Sequence, residues 1–577
     1  MRSRSLLLAA LLTLLLVPAA PAAANGRHHH HPKPRHDVKV QLLGLNDFHG
    51  HMESTTPGTI APAPGQPRVP AGGAEYLATH LREAARTNRN TLMVSAGDLI
   101  GASPLLSALF HDEPTIEAMN KIGLDLNAVG NHEFDEGAAE LLRMQRGGCH
   151  PVDGCQDGTG FRGAKFRFLA ANVVRESTGR TLFRPYAIRK FNGIKVGFIG
   201  MTLEGTPDIV SPSGVAGLDF LDEAETANRY AQKLRRRHGV RAIVVLLHEG
   251  GVQSQPGGIN DCNGISGAIV DIVNRTTKAV DLFVTGHTHQ PYNCVIDDRP
   301  VTSASSFGRL YTDIDMTLDR RSRDVVEVRA NNVIVTQNVF KAMDISDLIA
   351  RYDVIAAPLR DRIIGRISAD ITRTPDDSLE NAAGNLIADA QHAATAGATT
   401  GNAVAAFMNP GGVRTDFLFA QSGSEGNGNV TYGEAFAVQP FGNSLVTMTL
   451  TGEQLYEMLK QQWCGGPAGR VLLPSASVHY TWDQSVAAGI QSQTCAGAPN
   501  PATGLTIGGV AVDPGTSYRV TVNSFLADGG DSFPILRSGT DRLGGSVDTD
   551  ALEAYIAPSL TGAAITPPPL TRIDVVP

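Results

Sequence analysis

The segment NAVGNHEFDEG, residues 127–137, decides how the first part of this chain folds. Its apolar run ends at Gly130, and Asn131, His132 and Asp135 follow directly. A short apolar run bounded by glycine is typical of a buried strand in an α/β protein. In open α/β sheets, the residues just beyond the carboxyl ends of the strands line the ligand site. The segment therefore predicts a strand that delivers Asn131 and His132 to a functional site.

Six other short apolar runs show the same organisation. They are VKVQLLGL (38–45), TLMVSA (91–96), RFLAANV (167–173), KVGFIGM (195–201), AIVVLL (242–247) and DLFVTG (281–286). They are rich in Val, Ile and Leu and are bounded by Gly, Asn or Asp, as in the buried strands of an α/β sandwich. The sequence therefore predicts an α/β fold for this region.

Five of the predicted strands are followed by residue types that bind metals. These residues are Asp47, His49, Asp98, Asn131, His248, His287 and His289. A single D-x-H or H-x-H is typical of a surface turn, but the shared position after strands favours a metal site. Imidazole and carboxylate ligands suit zinc, manganese or iron better than calcium or magnesium. Seven ligands are too many for one ion, and two ions ~3.5–4 Å apart that share one carboxylate would use them all.

The second half of the chain has a different character. KAMDISDLIARYDVIAAPLRDRIIG, residues 341–365, predicts a helix with a break at Pro358. We place a domain boundary near residue 345, with a first domain at 38–344, a linker helix at 345–365 and a second domain at 366–577. SLENAAGNLIADAQHAAT and TGEQLYEMLKQQW predict helices, and YRVTVNSFLADGGDSF begins as a strand. The second domain is therefore expected to be a smaller α+β domain.

The amino-terminal residues and the charge predict an exported protein. Residues 1–24 have the basic start, short apolar stretch and small-residue end of a signal peptide. Residues 25–37 are rich in His and Pro, which is more typical of a disordered leader than of a metal site. Without Arg2 and Arg4, the formal net charge of −8 becomes −10, which gives no indication of a surface for nucleic acid polymers. No later run reaches 18 apolar residues, so no membrane span is expected.

The six cysteines suit an oxidising compartment. Fifteen pairings are compatible with six cysteines. Proximity along the chain favours Cys149 with Cys155, Cys262 with Cys294 and Cys464 with Cys495. None of them lies in a CxxC pair, which favours a structural role.

Five motifs together resemble the signatures of the calcineurin-like metallophosphoesterase superfamily. They are NDFHG (46–50), GDLIGAS (97–103), GNHEFD (130–135), LLHEG (246–250) and GHTH (286–289). Together with the second half, the chain resembles the secreted 5'-nucleotidase and UDP-sugar hydrolase family from about residue 38 to 570. The resemblance implies a four-layer α/β/β/α sandwich followed by a smaller α+β domain. It also implies hydrolysis of nucleoside 5'-phosphates to nucleoside and phosphate by metal-activated water.

The resemblance assigns roles to the residues after the strands. Asp47, His49 and His289 are expected to hold one divalent ion, with zinc, manganese and iron all compatible. Asn131, His248 and His287 are expected to hold a second ion, and Asp98 to bridge the two. His132 matches the catalytic histidine of the family, and Asp135 matches the carboxylate that orients its ring. No G-x-S-x-G motif lies beside these residues, in keeping with hydrolysis without a covalent intermediate.

Three segments of the second half resemble nucleotide-binding signatures of the same family. In NPGGVR (409–414), QPFGN (439–443) and NSFLADGGDSF (523–533), the expected substrate-binding residues are Asn409, Gly412, Arg414, Phe441, Phe525 and Asp531. The arginine would hold phosphate, the two phenylalanines would stack on the base, and Asn409 and Asp531 would contact base or ribose. Leu379 stands near the place of an arginine found in many members, and Arg373 is a candidate to compensate.

Several alternatives remain open from the sequence. The same site could serve a UDP-sugar pyrophosphatase or a 2',3'-cyclic nucleotide phosphodiesterase. A thiosulfohydrolase is a more distant hypothesis, which would leave the paired aromatic residues without a role. A secreted binding protein with a degenerate site is the hypothesis that does not involve catalysis. In each enzymatic reading the partner is a small-molecule substrate, and a rotation about residues 345–365 would carry it to the metals. The physiological metal, the preferred base and the oligomeric state are left open.

Overall fold

The structure is a computed structural model that describes residues 37–54, 58–255, 257–491 and 493–577. The predicted signal peptide and residues 25–36 of the predicted leader lie outside the described residues.

The first domain contains two six-stranded sheets. The first sheet has the order Val325–Ile334, Leu310–Leu318, Val38–Leu45, Thr91–Ser95, Leu126–Ala128 and Arg167–Leu169. The second sheet has the order Pro291–Ile296, Arg299–Ala304, Leu282–Thr285, Ala242–His248, Ile194–Thr202 and Tyr186–Phe191. The four strands from Val38 to Leu169 run parallel to one another, as do the central strands of the second sheet.

The two sheets pack face to face, with helices on both outer surfaces. The buried layer between the sheets includes Leu42, Val94, Phe198, Val244 and Val284. The first sheet is covered by Ala74–Ala85, Glu113–Ile122, Gly137–Arg146 and Met343–Arg360, and the second by Glu223–His238 and Ala268–Arg275. This arrangement confirms the predicted four-layer α/β/β/α sandwich. The short elements of the first domain are Thr59–Ile60, Val69–Pro70, Leu105–Ala108, Val173–Arg175, Thr206–Ile209, Pro212–Val215, Leu218–Phe220, Val252–Gln253 and Ile265–Ser266.

The second domain is a smaller α+β unit, as predicted. Its five-stranded sheet has the order Leu473–Pro474, Ala405–Met408, Ser517–Asn523, Ser444–Thr451 and Thr540–Val547. A four-stranded sheet has the order Val510–Ala511, Ala502–Ile507, Val478–Asp483 and Ile573–Val576, and Ile363–Arg366 pairs with Asn429–Thr431. The helices are Ala382–Thr395, Tyr432–Val438, Gly452–Gln461, Gln484–Ile490, Ser524–Ala527 and Asp548–Ile556.

Two details of the predicted elements differ from the structure. The predicted strand 167–173 is two strands, Arg167–Leu169 in the first sheet and Val173–Arg175 paired with Leu218–Phe220. The predicted helix break at Pro358 is wrong, and so is the predicted end of the linker helix at residue 365. The helix runs through Pro358 to Arg360, and Ile363–Arg366 is already a strand. A proline in the last helical turn removes only one late hydrogen bond, so the helix continues past Pro358.

The disulfides agree with the prediction from proximity along the chain. The three bonds are Cys149–Cys155, Cys262–Cys294 and Cys464–Cys495. Within the described part of the chain, none of the helices combines the length and apolar character needed to cross a bilayer.

Candidate active site

The strand ends that were predicted to carry metal ligands meet at one edge of the first domain. In each sheet the central strands run in the same direction, so their carboxyl ends lie on the same side. The residues found at these ends are Asp47, His49, Asp98, Asn131, His248, His287 and His289. The structure therefore brings all seven residues together, as expected for ligand sites of open α/β sheets.

Five of these seven residues have a left-handed backbone conformation. The φ angles of Asp47, His49, Asp98, His287 and His289 are 49°, 46°, 50°, 72° and 56°. Non-glycine residues adopt this conformation at a cost of about 1–3 kcal/mol, and such residues cluster at functional sites. The tight turns after the strands therefore use strained backbone to aim these side chains at one another.

Two glycines allow the turns to approach closely. A Cβ atom on Gly97 would lie 2.7 Å from the amide nitrogen of Gly130 and 2.8 Å from Nδ1 of His248. A Cβ atom on Gly130 would lie 2.2 Å from Oδ1 of Asp98. Any larger residue at either position would push apart the loops that carry the candidate ligands.

Three side chains form the first candidate metal group. Nε2 of His49 lies 3.1 Å from Nε2 of His289. Oδ1 of Asp47 lies 3.4 Å from the same atom of His289 and 3.9 Å from Nε2 of His49. The ligand atoms of this trio lie within 4.8 Å of one another. One cation could contact all three.

The second group lies beside the first and shares a carboxylate with it. Oδ2 of Asp98 is 2.9 Å from Nε2 of His248 and 3.6 Å from Nε2 of His49. Oδ1 of Asn131 is 3.1 Å from Nε2 of His248 and 3.1 Å from Nδ1 of His287. Asp98 is therefore placed between the two groups, where a bridging carboxylate has to be.

Backbone carbonyls orient two of the imidazole rings. Nδ1 of His49 contacts the carbonyl oxygen of Gly101 at 2.8 Å, and Nδ1 of His248 contacts that of Ala96 at 2.9 Å. A carbonyl only accepts, so each Nδ1 carries a proton. In the neutral ring of His49 the lone pair is therefore on Nε2, which faces the centre of the site, whereas Nε2 of His248 faces Oδ2 of Asp98. Contacts of this kind orient metal-binding histidines.

Burial controls the protonation of these rings. It lowers the pKa of His49 well below the usual range and lowers the pKa of His287 to about 3, with the His248 charge adding to the second effect. Burial also lowers the pKa of His289. For His248, burial acts in the same direction, but the carboxylate of Asp98 outweighs it and raises the pKa to about 10. Three rings are thus held in the neutral form that binds metals.

The donor set fits divalent metal ions. His49 and His289 face each other through ring nitrogens at 3.1 Å, and the Nε2 of His49 has no proton to offer because Gly101 holds the proton on Nδ1. A cation between buried lone pairs and carboxylates satisfies them all. Imidazole, carboxylate and amide donors together suit zinc, manganese or iron.

His132 and Asp135 form a pair beside the candidate metal groups. Nδ1 of His132 is 2.8 Å from Oδ2 of Asp135. The backbone amide of His132 donates to Oδ1 of Asp98 at 2.9 Å, which ties the pair to the bridging carboxylate. Burial lowers the pKa of His132, but the carboxylates of Asp135 and Asp98 outweigh it, and the net pKa is raised. The ring is therefore held so that Nε2 faces away from Asp135.

Glu133 is a site residue that the sequence analysis missed. It is buried, with 3% of its surface exposed, and Oε2 accepts from the amides of Gly130 and Asp98 at 2.6 and 2.9 Å. Oε1 accepts from the amide of Leu99 at 3.0 Å and from Nδ2 of Asn127 at 3.2 Å. Glu133 therefore joins the loop that carries Asp98 to the loop that carries Asn131. Its position inside GNHEFD was the available signal.

The two domains belong to one compact unit, Asp37–Pro577. A cleft of about 260 Å³ lies between them. From the first domain it is lined by Asn131, His132, Asp135, Ile209, Val210, Ser211 and His287, and from the second by Asn409, Gly411, Gly412, Arg414, Phe441, Asn443, Asn523, Phe525 and Asp531. All six predicted substrate-binding residues are in this list. The segment Ile209 to Ser211 was not predicted, because nothing in its local sequence distinguishes it from an ordinary loop. Asn443 and Asn523 belong to the quoted segments QPFGN and NSFLADGGDSF but were not among the predicted binding residues.

The second-domain residues of the cleft are held by contacts with one another. Nδ2 of Asn409 donates to Oδ2 of Asp531 at 2.8 Å, and Nδ2 of Asn523 donates to Oδ1 of Asn409 at 2.9 Å. The guanidinium of Arg414 lies 5.7 Å from the ring centre of Phe441. The Phe441 ring in turn lies 5.8 Å from the ring of His132, at an angle of 22°. The second domain thus reaches the histidine of the first.

Leu379 stands near the place where many family members have an arginine. Leu379 packs against the core of the second domain and does not line the cleft. Nη1 of Arg373 lies 3.4 Å from the carbonyl of Val413, and its charge contributes to the lowered pKa of Arg414, after burial. Arg373 is therefore close enough to Arg414 to add positive charge at this side of the cleft.

A sandwich with this ligand set defines a metal-dependent phosphoesterase. The chain matches the family described as Calcineurin-like phosphoesterase over residues 40–291, and the family described as 5'-nucleotidase, C-terminal domain, over residues 363–538. The chain belongs to the metallophosphoesterase family that carries a 5'-nucleotidase C-terminal domain, and the calcineurin-like phosphoesterases use divalent metals.

Individual relatives match most of the chain, and a solved structure shares its fold. Endonuclease YhcR of Bacillus subtilis is 30% identical over 539 residues, which are 91% of this chain and 40% of that protein. Cell wall protein Lmo0130 of Listeria monocytogenes is 31% identical over 550 residues, which are 90% of this chain and 67% of that protein. The crystal structure of a 5'-nucleotidase precursor from Thermus thermophilus has a TM-score of 0.73 at 24% identity, covering 93% of this chain and 99% of the other. The chain spans less than half the length of endonuclease YhcR.

Proposed function

We propose that this protein is an exported 5'-nucleotidase that hydrolyses nucleoside 5'-phosphates to nucleoside and phosphate at two divalent metal ions. The observation that carries the proposal is the cleft, in which the second-domain residues Arg414, Phe441 and Phe525 face His132 and the candidate metal ligands. A phosphate at the metals would leave its nucleoside within reach of these side chains.

The second domain has groups that suit a nucleoside. Phe441 and Phe525 both line the cleft, and a planar base can stack on an aromatic ring there. Oδ2 of Asp531 is held by Nδ2 of Asn409, and a carboxylate in this position accepts hydrogen bonds from hydroxyls of a sugar. We expect Arg414 to hold phosphate through a charge-assisted contact.

The first domain supplies the groups for hydrolysis. Bound divalent ions activate water and neutralise phosphate charge. We propose that Asp47, His49 and His289 hold one ion, and that Asn131, His248 and His287 hold the other, with Asp98 shared. His132, oriented by Asp135, would donate a hydrogen bond or a proton to a phosphate-ester oxygen through Nε2. Glu133 would keep the Asp98 and Asn131 loops in register.

Export is part of the proposal. Its support is the signal-peptide pattern of residues 1–24 and the three disulfide bonds of the described chain. A fractionation of the host culture, with the protein detected by antibody, tests it: we expect the mature protein outside the cytoplasm. Recovery of the full-length chain from the cytoplasm would contradict export.

The test of activity is phosphate release by the purified protein with Mn²⁺ or Zn²⁺. The substrates are AMP, ATP, UDP-glucose, 2',3'-cyclic AMP, p-nitrophenyl phosphate and single-stranded DNA, and a coupled phosphatase detects any monoester product. His132→Ala is compared with His479→Ala, because His479 also contacts a carboxylate, that of Asp574 at 3.2 Å, but at a half-buried position outside the cleft.

We expect AMP to be the preferred substrate, with turnover reduced ~10²–10⁴-fold in His132→Ala and unchanged in His479→Ala. Preference for UDP-glucose or the cyclic nucleotide would replace the 5'-nucleotidase assignment by the pyrophosphatase or phosphodiesterase alternative. Cleavage of DNA with little action on AMP would point to the activity named for the Bacillus relative. Folded, metal-loaded protein that turns over none of them would favour the binding-protein alternative.

A further inference from the structure

A second cluster of metal-binding side chains lies outside the cleft that carries the proposed activity. It contains His111, His150 and Asp153, whose candidate ligand atoms lie within 4.8 Å of one another. Nε2 of His111 is 2.8 Å from Oδ2 of Asp153, and Nδ1 of His150 is 3.3 Å from the same oxygen. The two imidazole rings are stacked, with centres 3.7 Å apart and an angle of 16°. The three candidate donors thus lie together. The backbone amide of Asp153 donates to Nδ1 of His150 at 3.1 Å, and a cation bound to that nitrogen would replace this hydrogen bond.

The ring of His111 is oriented by an additional carboxylate. Its Nδ1 lies 2.7 Å from Oε2 of Glu136, on the opposite side of the ring from Asp153. A carboxylate that accepts from one imidazole nitrogen while the other faces a metal is a recurring arrangement around zinc. Glu136 therefore suits the role of an orienting residue, and Nε2 of His111 that of a ligand.

Two of the three donors sit on a covalently closed loop. His150 and Asp153 lie between Cys149 and Cys155, which form a disulfide. Within the loop, the amides and carbonyls of His150 and Gly154 exchange hydrogen bonds at 3.2 and 3.0 Å. The third donor, His111, sits at a left-handed turn with φ 51°. Rigid backbone at both sides reduces the entropy lost when a ligand orders the side chains.

We propose that His111, His150 and Asp153 form an additional binding site for a zinc-class divalent cation, with Glu136 as the positioning residue. Two imidazoles and one carboxylate are the donors that zinc prefers, and they leave a fourth position for water. The proposal does not depend on the activity proposed for the cleft.

The position of this site gives it a route to the active site. His111 and Glu136 line a cavity of about 120 Å³ that is also lined by His132, Asp135 and Phe441. Glu136 directly follows Asp135 in the chain. A cation at His111 would therefore fasten the disulfide loop to the segment that carries Asp135.

The competing arrangement is an ion pair without metal. The hydrogen bond to Glu136 is the largest contribution that raises the pKa of His111, to about 9, so a protonated ring could bridge Glu136 and Asp153. A proton and a cation compete for Nε2, so zinc affinity should rise with pH. The experiment has to separate these two occupants.

The test is zinc content at equilibrium dialysis against buffered free zinc, measured on the full mature chain. We expect His150→Gln to bind one zinc equivalent fewer than the unmodified protein, although it leaves both contacts of His111 in place. His111→Gln should lose the same equivalent, and Glu136→Gln should weaken its binding about 10–100-fold. His479→Gln, which changes a half-buried histidine that also contacts a carboxylate, should retain it.

A second readout is spectroscopic. Cobalt substituted at a site with two imidazoles gives visible absorption bands, and we expect one band set to disappear in His150→Gln. The unfolding midpoint of each variant in chelator confirms that it is folded. Equal zinc content in the unmodified protein and folded His150→Gln would overturn the proposal, whatever substrate the cleft hydrolyses.

Discussion

Glu133→Gln tests whether a buried carboxylate holds the loops of the candidate metal site in register. In the structure, each carboxylate oxygen accepts from two donors: Gly130 and Asp98 on one side, Leu99 and Asn127 on the other. A glutamine has one accepting oxygen, so its amide group must face two buried donors. Each donor left without an acceptor costs about 1–3 kcal/mol, which gives about 2–6 kcal/mol in total. Burial raises the pKa of Glu133 to about 8, so this cost applies to the ionised carboxylate and is partly offset because the substitution removes a buried charge.

The assay is urea unfolding of the metal-free protein in chelator, so that loss of bound metal does not contribute. We expect a lower unfolding midpoint and, in a separate dialysis experiment, weaker metal retention because Asp98 shifts. Glu225→Gln, an exposed glutamate on Glu223–His238, is the control and should change the midpoint little. An unchanged or higher midpoint in Glu133→Gln would refute the argument, since the lost hydrogen bonds would then not outweigh the relief from removing a buried charge.

Three further predictions address substrate, metal and pH. Phe441→Ala should raise the KM for AMP about 5- to 150-fold but change the KM for ribose 5-phosphate little, because base stacking contributes about 1–3 kcal/mol. Phe340 is exposed, so Phe340→Ala should change neither KM value. Asp98→Asn should reduce metal content and lower turnover at saturating AMP, and full metal loading would contradict a shared carboxylate. Burial raises the pKa of Asp281 to about 7, so its charged form disfavours the fold and stability is lost as pH rises from about 4 to 7. Asp281→Asn, which can still accept from the amide of Ile243, should therefore stabilise the protein by up to ~4 kcal/mol at pH 8 and little at pH 4; equal effects at both would contradict it.

Much of the first domain is encoded locally. A buried parallel strand is a short apolar run, so Val38–Leu45, Thr91–Ser95 and Ala242–His248 are visible as segments without knowledge of their neighbours. The polar residues that follow them, such as Asp98 and Asn131, are visible for the same reason. The disulfide partners are also close along the chain, which made their pairing predictable.

The features that were hardest to predict are those that depend on contacts with residues elsewhere in the chain. Glu133 follows His132 in the sequence, and only the structure shows that it accepts from the loops at Asp98 and Gly130. Similarly, the sequence shows only that Leu379 replaces an arginine of the family, whereas the structure shows that its side chain packs against the second-domain core. The end of the linker helix depended on strand pairing of Ile363–Arg366, which helix periodicity cannot report.

By itself, the sequence determined the strand segments, the candidate ligands after them, the disulfide pairing and the family resemblance, because each is written in residues close together in the chain. The tertiary structure alone decided that Asn409 meets Asp531, 122 residues later, and that Phe441 reaches His132 across the cleft. It also brought His111 to the disulfide loop that carries His150. Contacts of this kind depend on the packing of whole elements, and local apolar periodicity carries no record of which distant side chains the packing brings together.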